Sequence, residues 1–301
     1  MSLLLPDARL GQHTWALKRA YVFGVINTTP DSFSDGGQFF ATQAAVEHGI
    51  ALAAAGADAL DIGGESTRPG AGRVSVEEEL RRVLPVVEAL NEKLAIPISI
   101  DTTKAEVARQ AVAAGACIVN DISGMALDEK MAETVASLDV AVILGHLRGE
   151  PATMQDGICF KDVVAEVADE LREQAQRAIA AGIQSDRIWI DPGIGFGKTT
   201  EQSVALIAAT GLLRQAVGHP IMVGPSRKSF IGTLMAAEVS ARQQSTGRIM
   251  GTAAAVAVAI TLGADAVRIH DVRELHQAVV VSNALRSAYG GIAVVGQPPS
   301  K

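Results

Sequence analysis

The chain has 301 residues, of which 48% are hydrophobic, 20% charged and 4% aromatic, with 50 alanines and 29 glycines. That length supports a large core in one or two domains, and the composition excludes a disordered chain and argues against an aromatic-rich β-sandwich. Its 33 acidic and 26 basic residues leave a net charge of -7, which excludes a general footprint for nucleic acid but not a local pocket for a small anion.

In chain order, the first expected strand is Val22–Ile26, followed by the loop NTTPDSFSDGG (27–37) and a helix over Gln43–Ala55. A strand at Ala59–Ile62 leads into a second loop, GGESTRPGAG (63–72), and then a helix ending near Lys93. Ser75 with Glu78 has capping-box spacing, as do Thr103 and Glu106 ahead of a helix ending near Ala114; hydroxyl and carboxylate would satisfy otherwise orphan amides. Between and after these come the strands Ile96–Ile100, Cys117–Asn120, Val140–Leu144, Ile188–Ile190, Ile221–Val223 and Ala266–Ile269. The remaining helices are expected over Leu127–Ser137, Lys161–Ala181, Glu201–Ala216, Gln244–Leu262 and Val272–Tyr289.

Each strand is short, apolar and without clear alternation, as a parallel strand covered on both faces requires. A weak echo recurs in AGADALDI (55–62), AGACIVND (114–121) and LGADAVRIHD (262–271), where a left-handed glycine ends a helix just before a strand. Eight βα units without a linker point to a single (β/α)8 barrel, a TIM barrel, over residues 21–290, with an N-terminal extension (1–20) and a tail (291–301). The competing open doubly wound sheet lacks the G-x-G-x-x-G that should follow its first strand.

Two cysteines, Cys117 and Cys159, are too few for a disulfide framework and lack metal-ligand spacing, which fits a reducing compartment. MSLLLPDARLGQHTW does not read as a signal peptide, and the apolar run 253–260 is too short to span a bilayer. The expected location is cytoplasmic.

In a barrel the strand C-termini converge on one mouth, so polar residues there meet in space. They are Asn27, Asp61, Asp101, Asn120 with Asp121, His146, Asp191, Lys228, and Arg268 with His270. A single Asp after a strand is ordinarily a turn former. Polar groups after almost every strand need a common partner, and a polar ligand supplies one. Asp101, Asn120 and Asp191 suit a flat heterocycle rich in N–H groups, whereas Arg227, Lys228, Arg268 and His270 suit phosphate or diphosphate. The segment DPGIGFGKT (191–199) ends like a nucleotide-binding loop, but Pro192 stands where G-x-x-x-x-G-K-[ST] needs glycine, so an ATPase is rejected. The two early loops read as lids, with Phe33 notable in a chain so poor in aromatics.

Taken together, GVINTTPDSFSDGG, DIGGESTRPGA, ISIDTT, IVNDISG, GHLRGEPATMQ, DPGIGFGKT, VGPSRKSFIG and RIHDV closely resemble, in order, the blocks of the dihydropteroate synthases of the folate pathway, over about residues 20–290. The resemblance implies a (β/α)8 barrel, a homodimer, Mg2+, and a transferase joining 4-aminobenzoate to (7,8-dihydropterin-6-yl)methyl diphosphate by SN1-like substitution. It implies a pterin held by Asp101, Asn120, Ile122, Asp191, Phe196 and Lys228. Diphosphate would lie on Asn27, Thr67, Arg68, Arg268 and His270, with Asn27 also contacting the metal and Asp61 nearby. Aminobenzoate would lie among Phe33, Ser66, Thr67, Pro69, Lys228 and Ser229, with Asp31 in the closing loop. Asp101, Asp191, Lys228, Asn27 and Arg68 would carry the catalysis, and sulfonamides would inhibit. The chain departs from the family's usual wording at Thr28, Gly145, Leu147, Ser203 and Gly247. The rival readings are a methyltetrahydrofolate-type methyltransferase, which has no use for the diphosphate cations, and a pterin-binding paralogue without turnover.

Overall fold

A computed structural model describes residues 5–29, 37–67, 72–238 and 241–291. It opens with a hairpin absent from the expected elements, β1 (Ala8–Leu10) antiparallel to β2 (His13–Trp15). Three-residue strands fall below what periodicity can register.

Eight strands follow: β3 (Tyr21–Asn27), β4 (Ala59–Gly63), β5 (Ile98–Asp101), β6 (Ile118–Asp121), β7 (Ala141–Gly145), β8 (Ile188–Asp191), β9 (Met222–Val223) and β10 (Ala266–Ile269). They form one sheet in the order β8-β7-β6-β5-β4-β3-β10-β9, and every pair is parallel. A parallel bridge between Ile190 and Ile221 joins the two ends and closes the barrel. The expected strands agree with these to within two residues at each end.

The helices are α1 (Gly37–Ala54), α2 (Val76–Lys93), α3 (Ala105–Ala113), α4 (Met131–Leu138), α5 (Val163–Ala180), α6 (Thr200–Ala208), α7 (Thr210–Val217), α8 (Ser229–Glu238), α9 (Ala241–Thr261) and α10 (Val272–Gly291). Ser75 caps α2 by accepting from the Glu78 amide, but the Glu78 carboxylate binds Arg81 and Arg82 instead of closing the box. The Thr103–Glu106 box does not form. Asp128 takes the Ala105 amide, and Glu106 pairs with Arg109 one turn on. A complete box forms instead at Thr199 and Gln202. The single helix expected over Glu201–Ala216 breaks at Ala209 into α6 and α7, and in α7 the chain at Gly211 passes so near the end of α9 that a Cβ there would lie 2.6 Å from the Leu262 carbonyl. Helix α8 was not expected. The three echoed glycines, Gly56, Gly115 and Gly263, all have positive φ, as helix-ending residues require.

The strands do alternate, although both of their faces are buried. Outward residues such as Val22, Leu60, Ile100, Val119, Leu144 and Ile190 pack in the large core under the helices. Inward residues Tyr21, Phe23, Ala59, Ile118, Ile143, Trp189, Met222 and Ala266 form a second, separate core with Ala8, Leu10 and Trp15 of the hairpin. Trp15 stacks on Tyr21 at 4.0 Å and meets the edge of Trp189 at 6.2 Å, so the hairpin plugs the N-terminal end of the barrel. The period of two is masked in the sequence because inside and outside are equally apolar up to the last inward layer. There Asn27, Asp61, Asp101, Asn120, Asp191 and Arg268 replace hydrocarbon.

Candidate active site

The strand register sets the polar layer. Asp101 lies beside Asn120 across β5 and β6, Gly63 beside Asp101, and Gly145 beside Asp191. Above this layer opens a cleft of about 1270 Å³, counting its mouth. Asn27, Ser66, Thr67, Asp101, Asn120, Ile122, Asp191, Phe196, Lys228, Arg268 and His270 all line it, together with Arg227. Eleven of the residues named for substrate or metal by resemblance are therefore brought to one place, each counted once whatever its several roles. Phe33, Asp31, Arg68 and Pro69 lie outside the described residues. Ser229 is exposed at the first position of α8, beyond the lining.

Arg268 organises one side. Its Nε donates to Asp61 Oδ2 at 2.5 Å and its Nη2 to Asp101 Oδ2 at 2.7 Å, while Asn120 Nδ2 donates to the same Asp61 oxygen at 3.0 Å. Asp61 is fully buried beneath the layer, does not itself line the cleft, and its Oδ1 has no hydrogen-bond partner. The two carboxylates raise the guanidinium pKa against the opposing effect of burial. Burial pushes Asp101 upward from the ordinary carboxylate range, opposed by Arg268. Asp191 is also raised by burial, while Oδ1 accepts the Gly193 amide at 2.7 Å.

Lys228 Nζ sits 3.7 Å over the Phe196 ring, and burial, assisted by Arg268, lowers it to about 8. Gly195 lies directly beneath its stem, where a Cβ would come within 3.3 Å of Lys228 Cδ. A cationic head on an aromatic face at the centre of a polar pocket is suited to a flat, electron-rich heterocycle slotting beside it.

Two expectations at the mouth need correction. Asp121 turns outward and forms an Asx turn with the Ser123 amide (2.8 Å) and hydroxyl (2.7 Å), so only its neighbour Asn120 reaches the cleft. His146 is fully buried and faces away from the cleft, toward Glu170 Oε2 at 3.0 Å and Lys198 Nζ at 3.0 Å. In both cases a residue one place past the inward layer falls on the opposite side of the pleat.

His270 lies in the cleft as expected but is not a cation. Burial first, then Arg268 and Arg227, lower it to about 3. Its Nδ1 lies 3.1 Å from Ser226 Oγ, which also accepts the His270 amide at 3.2 Å. With the Ser226 hydroxyl donating to Nδ1, Nε2 carries the ring N–H and offers it to an anion. Arg227 holds a positive φ of 60° and pairs with Asp271 at 2.6 Å.

Sequence reasoning missed the supporting residues. Ser226 carries no signal of its own within VGPSRKSFIG, and Thr29, Gly224 and Ile194 also line the cleft. Glu65 bonds Lys104, which also holds the buried Glu79, and this fixes the stem of the second loop just before Ser66. No short motif marks such pairs; only the register of β4 and β5 brings them together. At Gly145, one of the departures from the family's wording, a Cβ would lie 2.5 Å from the Ile122 backbone, so β6 and β7 close up at the pocket wall.

Residues 23–270 match the family model described as pterin binding enzyme. The dihydropteroate synthase of Synechocystis sp. is 46% identical over 282 residues, covering 93% of this chain and 95% of the relative. The structure of Xanthomonas albilineans dihydropteroate synthase with 4-aminobenzoic acid superposes with a TM-score of 0.85 at 44% identity, covering 94% of this chain and 99% of that one. The same enzyme in complex with 7,8-dihydropteroate gives a TM-score of 0.82 at 42% identity, with 94% and 99% covered. With its barrel mouth lined by the residues that the family's sequence blocks carry, the chain belongs to the pterin-binding enzymes of the dihydropteroate synthase family.

Proposed function

We propose that the cleft condenses (7,8-dihydropterin-6-yl)methyl diphosphate with 4-aminobenzoate, giving 7,8-dihydropteroate and diphosphate. The observation that carries this reading is the division of one polar layer into two chemistries. Acceptors and an amide (Asp101, Asn120, Asp191) share one cleft with anion-seeking donors (Arg268, His270) and Lys228, and the Arg268–Asp101 pair is where the two sets meet. A methyltransferase has no use for the second half, and a paralogue without turnover has no reason to keep both.

In this reading Asp101, Asn120 and Asp191 take the pterin ring edge, with Ile122 and Phe196 on its faces and Lys228 toward its carbonyl side. Asn27, Thr67, Arg268 and His270 take the diphosphate, with Arg68. Arg268 has committed Nε and Nη2 to carboxylates, so Nη1 is the group available to the anion. Phe33, Ser66, Thr67, Pro69, Lys228 and Ser229 take the aminobenzoate. The methylene–oxygen bond breaks with its electron pair leaving on diphosphate, and the carboxylates facing the pterin N–H groups stabilise the positive charge left on the ring and methylene. The neutral arylamine then adds its lone pair to the methylene carbon and gives up a proton to water. Orientation suffices, because an arylamine is already unprotonated near neutral pH.

A divalent ion fits this donor set only in company with substrate. The Asn27 amide oxygen is a hard donor on the diphosphate side, and among the described residues no group of three or more His, Cys, Asp or Glu could hold a metal. Mg2+ characteristically binds through one or two protein oxygens plus substrate phosphates. When bound it would neutralise the leaving group; Asn27 would hold it.

A homodimer is supported by an apolar strip on two adjoining helices: Met250 and Val258 on α9, and Val280, Val281 and Leu285 on α10, all exposed. A cytoplasmic setting is supported by the unpaired cysteines, and among the described residues no helix is long and apolar enough to cross a membrane. The test is to supply the pterin diphosphate and Mg2+ with and without 4-aminobenzoate. Diphosphate release that depends on aminobenzoate, with dihydropteroate formed one for one, is expected; release without that dependence would overturn the assignment.

A further inference from the structure

Behind the pterin wall lies a chain of ionisable groups that the reaction above does not use, buried at Lys198 and His146 and partly exposed at Glu170 and Arg148. Lys198 is 4% exposed, and its Nζ reaches three acceptors: the Phe196 carbonyl at 2.8 Å, His146 Nδ1 at 3.0 Å and the His146 carbonyl at 3.3 Å. An ammonium has three donors and no acceptor, so these three bonds satisfy it completely. The bond at Nδ1 requires a neutral His146 with its proton on Nε2, and Nε2 duly faces Glu170 Oε2 at 3.0 Å. Arg148 holds Glu170 in turn through Nε at 3.1 Å, and its guanidinium lies 3.9 Å over the Phe160 ring.

The far end of this chain is the glycine loop that carries the pterin-facing groups. Gly193 and Phe196 both line the cleft, and Asp191 binds the Gly193 amide. Gly193 has φ 68°, and a Cβ there would collide with the His146 carbonyl, so the loop is pressed flat on the end of β7. At its other end the loop is tied by Lys198 at the Phe196 carbonyl and, from the exposed side, by Gln155 at the Gly195 carbonyl. Bonding the Phe196 carbonyl holds the peptide from which the Phe196 ring projects, and Lys228 rests on that ring.

The geometry points to Lys198 as a positioning residue for the pterin site, held by His146 and Glu170 and acting through the Phe196 carbonyl without touching substrate. The charged groups facing it are Glu170 from α5, Arg148 from the loop after β7, Asp191 from β8 and Lys228 from the loop after β9. Burial lowers Lys198 to about 7, opposed by Asp191 and Glu170, and burial also lowers His146.

This inference rests on the proposed pterin reaction, and its test separates the two. Lys198→Met keeps an unbranched stem of the lysine's width and removes the donors, while Glu170→Gln removes the charge that orients His146 from a partly exposed position. For each, KM for the pterin diphosphate and for 4-aminobenzoate is measured, along with the affinity for the pterin alcohol by calorimetry. Lys198→Met is expected to raise the pterin KM and weaken the alcohol about tenfold or more, and Glu170→Gln about threefold, with aminobenzoate KM within twofold in both. A purely structural lysine would lower the melting temperature and leave both KM values of the folded enzyme unchanged. That result in Lys198→Met, or in Glu170→Gln if the first variant does not fold, overturns the inference. No turnover by the unaltered chain would instead contradict the reaction itself, and the calorimetric arm would still report on Lys198.

Discussion

The two ends of this barrel are built on the same inward-facing positions of the same strands and have opposite fates. At the N-terminal end Tyr21, Phe23 and Trp189 are capped by Trp15 and Leu10 of the hairpin, and the space is filled. Two to four residues further along the strands the inward layer becomes Asn27, Asp101, Asn120, Asp191 and Arg268, and a cleft opens above it. Burying hydrocarbon at one end stabilises the fold. Burying carboxylates at the other costs free energy that the Arg268 pairs only partly offset, as the raised Asp101 and Asp191 and the unpartnered Asp61 Oδ1 indicate. In the proposed reaction a ligand rich in N–H groups would supply the missing partners, which sets stability at one end against function at the other.

Substitutions at the two ends should therefore separate these quantities. The largest effect is expected at the plug: Trp15→Ala should cost about 3–5 kcal/mol in chemical denaturation and leave kcat of the folded fraction unchanged. At the mouth, Asp101→Ala should lower kcat/KM for the pterin diphosphate about 10²- to 10³-fold in steady-state assays, with the denaturation midpoint little changed or raised. Next comes pH. As pH rises through about 8, Lys228 of the free enzyme loses its proton, so kcat/KM should fall above that point. Because burial raises Asp101, the acid limb of the same profile should lie above the ordinary carboxylate range. A flat profile from pH 5 to about 9 would remove both groups from the binding step. The smallest effect concerns neither end: Ser75→Ala, which unties the Glu78 amide, should cost about 1 kcal/mol of stability and nothing in rate.

The sequence made the barrel readable because its βα units repeat with helix-ending glycines and continuous apolar strands, as at Gly56, Gly115 and Gly263. The plug was illegible: β1 and β2 are three residues each, and only their burial against the inward face gives them meaning. At the mouth, residues at strand ends could be named, but not which way they point. Asn120 and Asp121 are neighbours in the chain, and the pleat sends one into the cleft and the other into a turn. The electrostatics were equally hidden, since it is burial and then Arg268 that push His270 well below the ordinary imidazole range. The Lys198–His146–Glu170 chain spans a β7 end, a helix and a glycine loop, a contact no linear motif encodes.

The claim that the mouth is divided into a ring-reading half and an anion-reading half is tested most directly by calorimetry with the pterin alcohol, which has the ring and lacks the diphosphate. Asp191→Ala and His270→Ala are compared with the unaltered chain. The division requires Asp191→Ala to weaken the alcohol by about 100-fold or more and His270→Ala to leave it within twofold. Equal loss of alcohol affinity in both variants would contradict it.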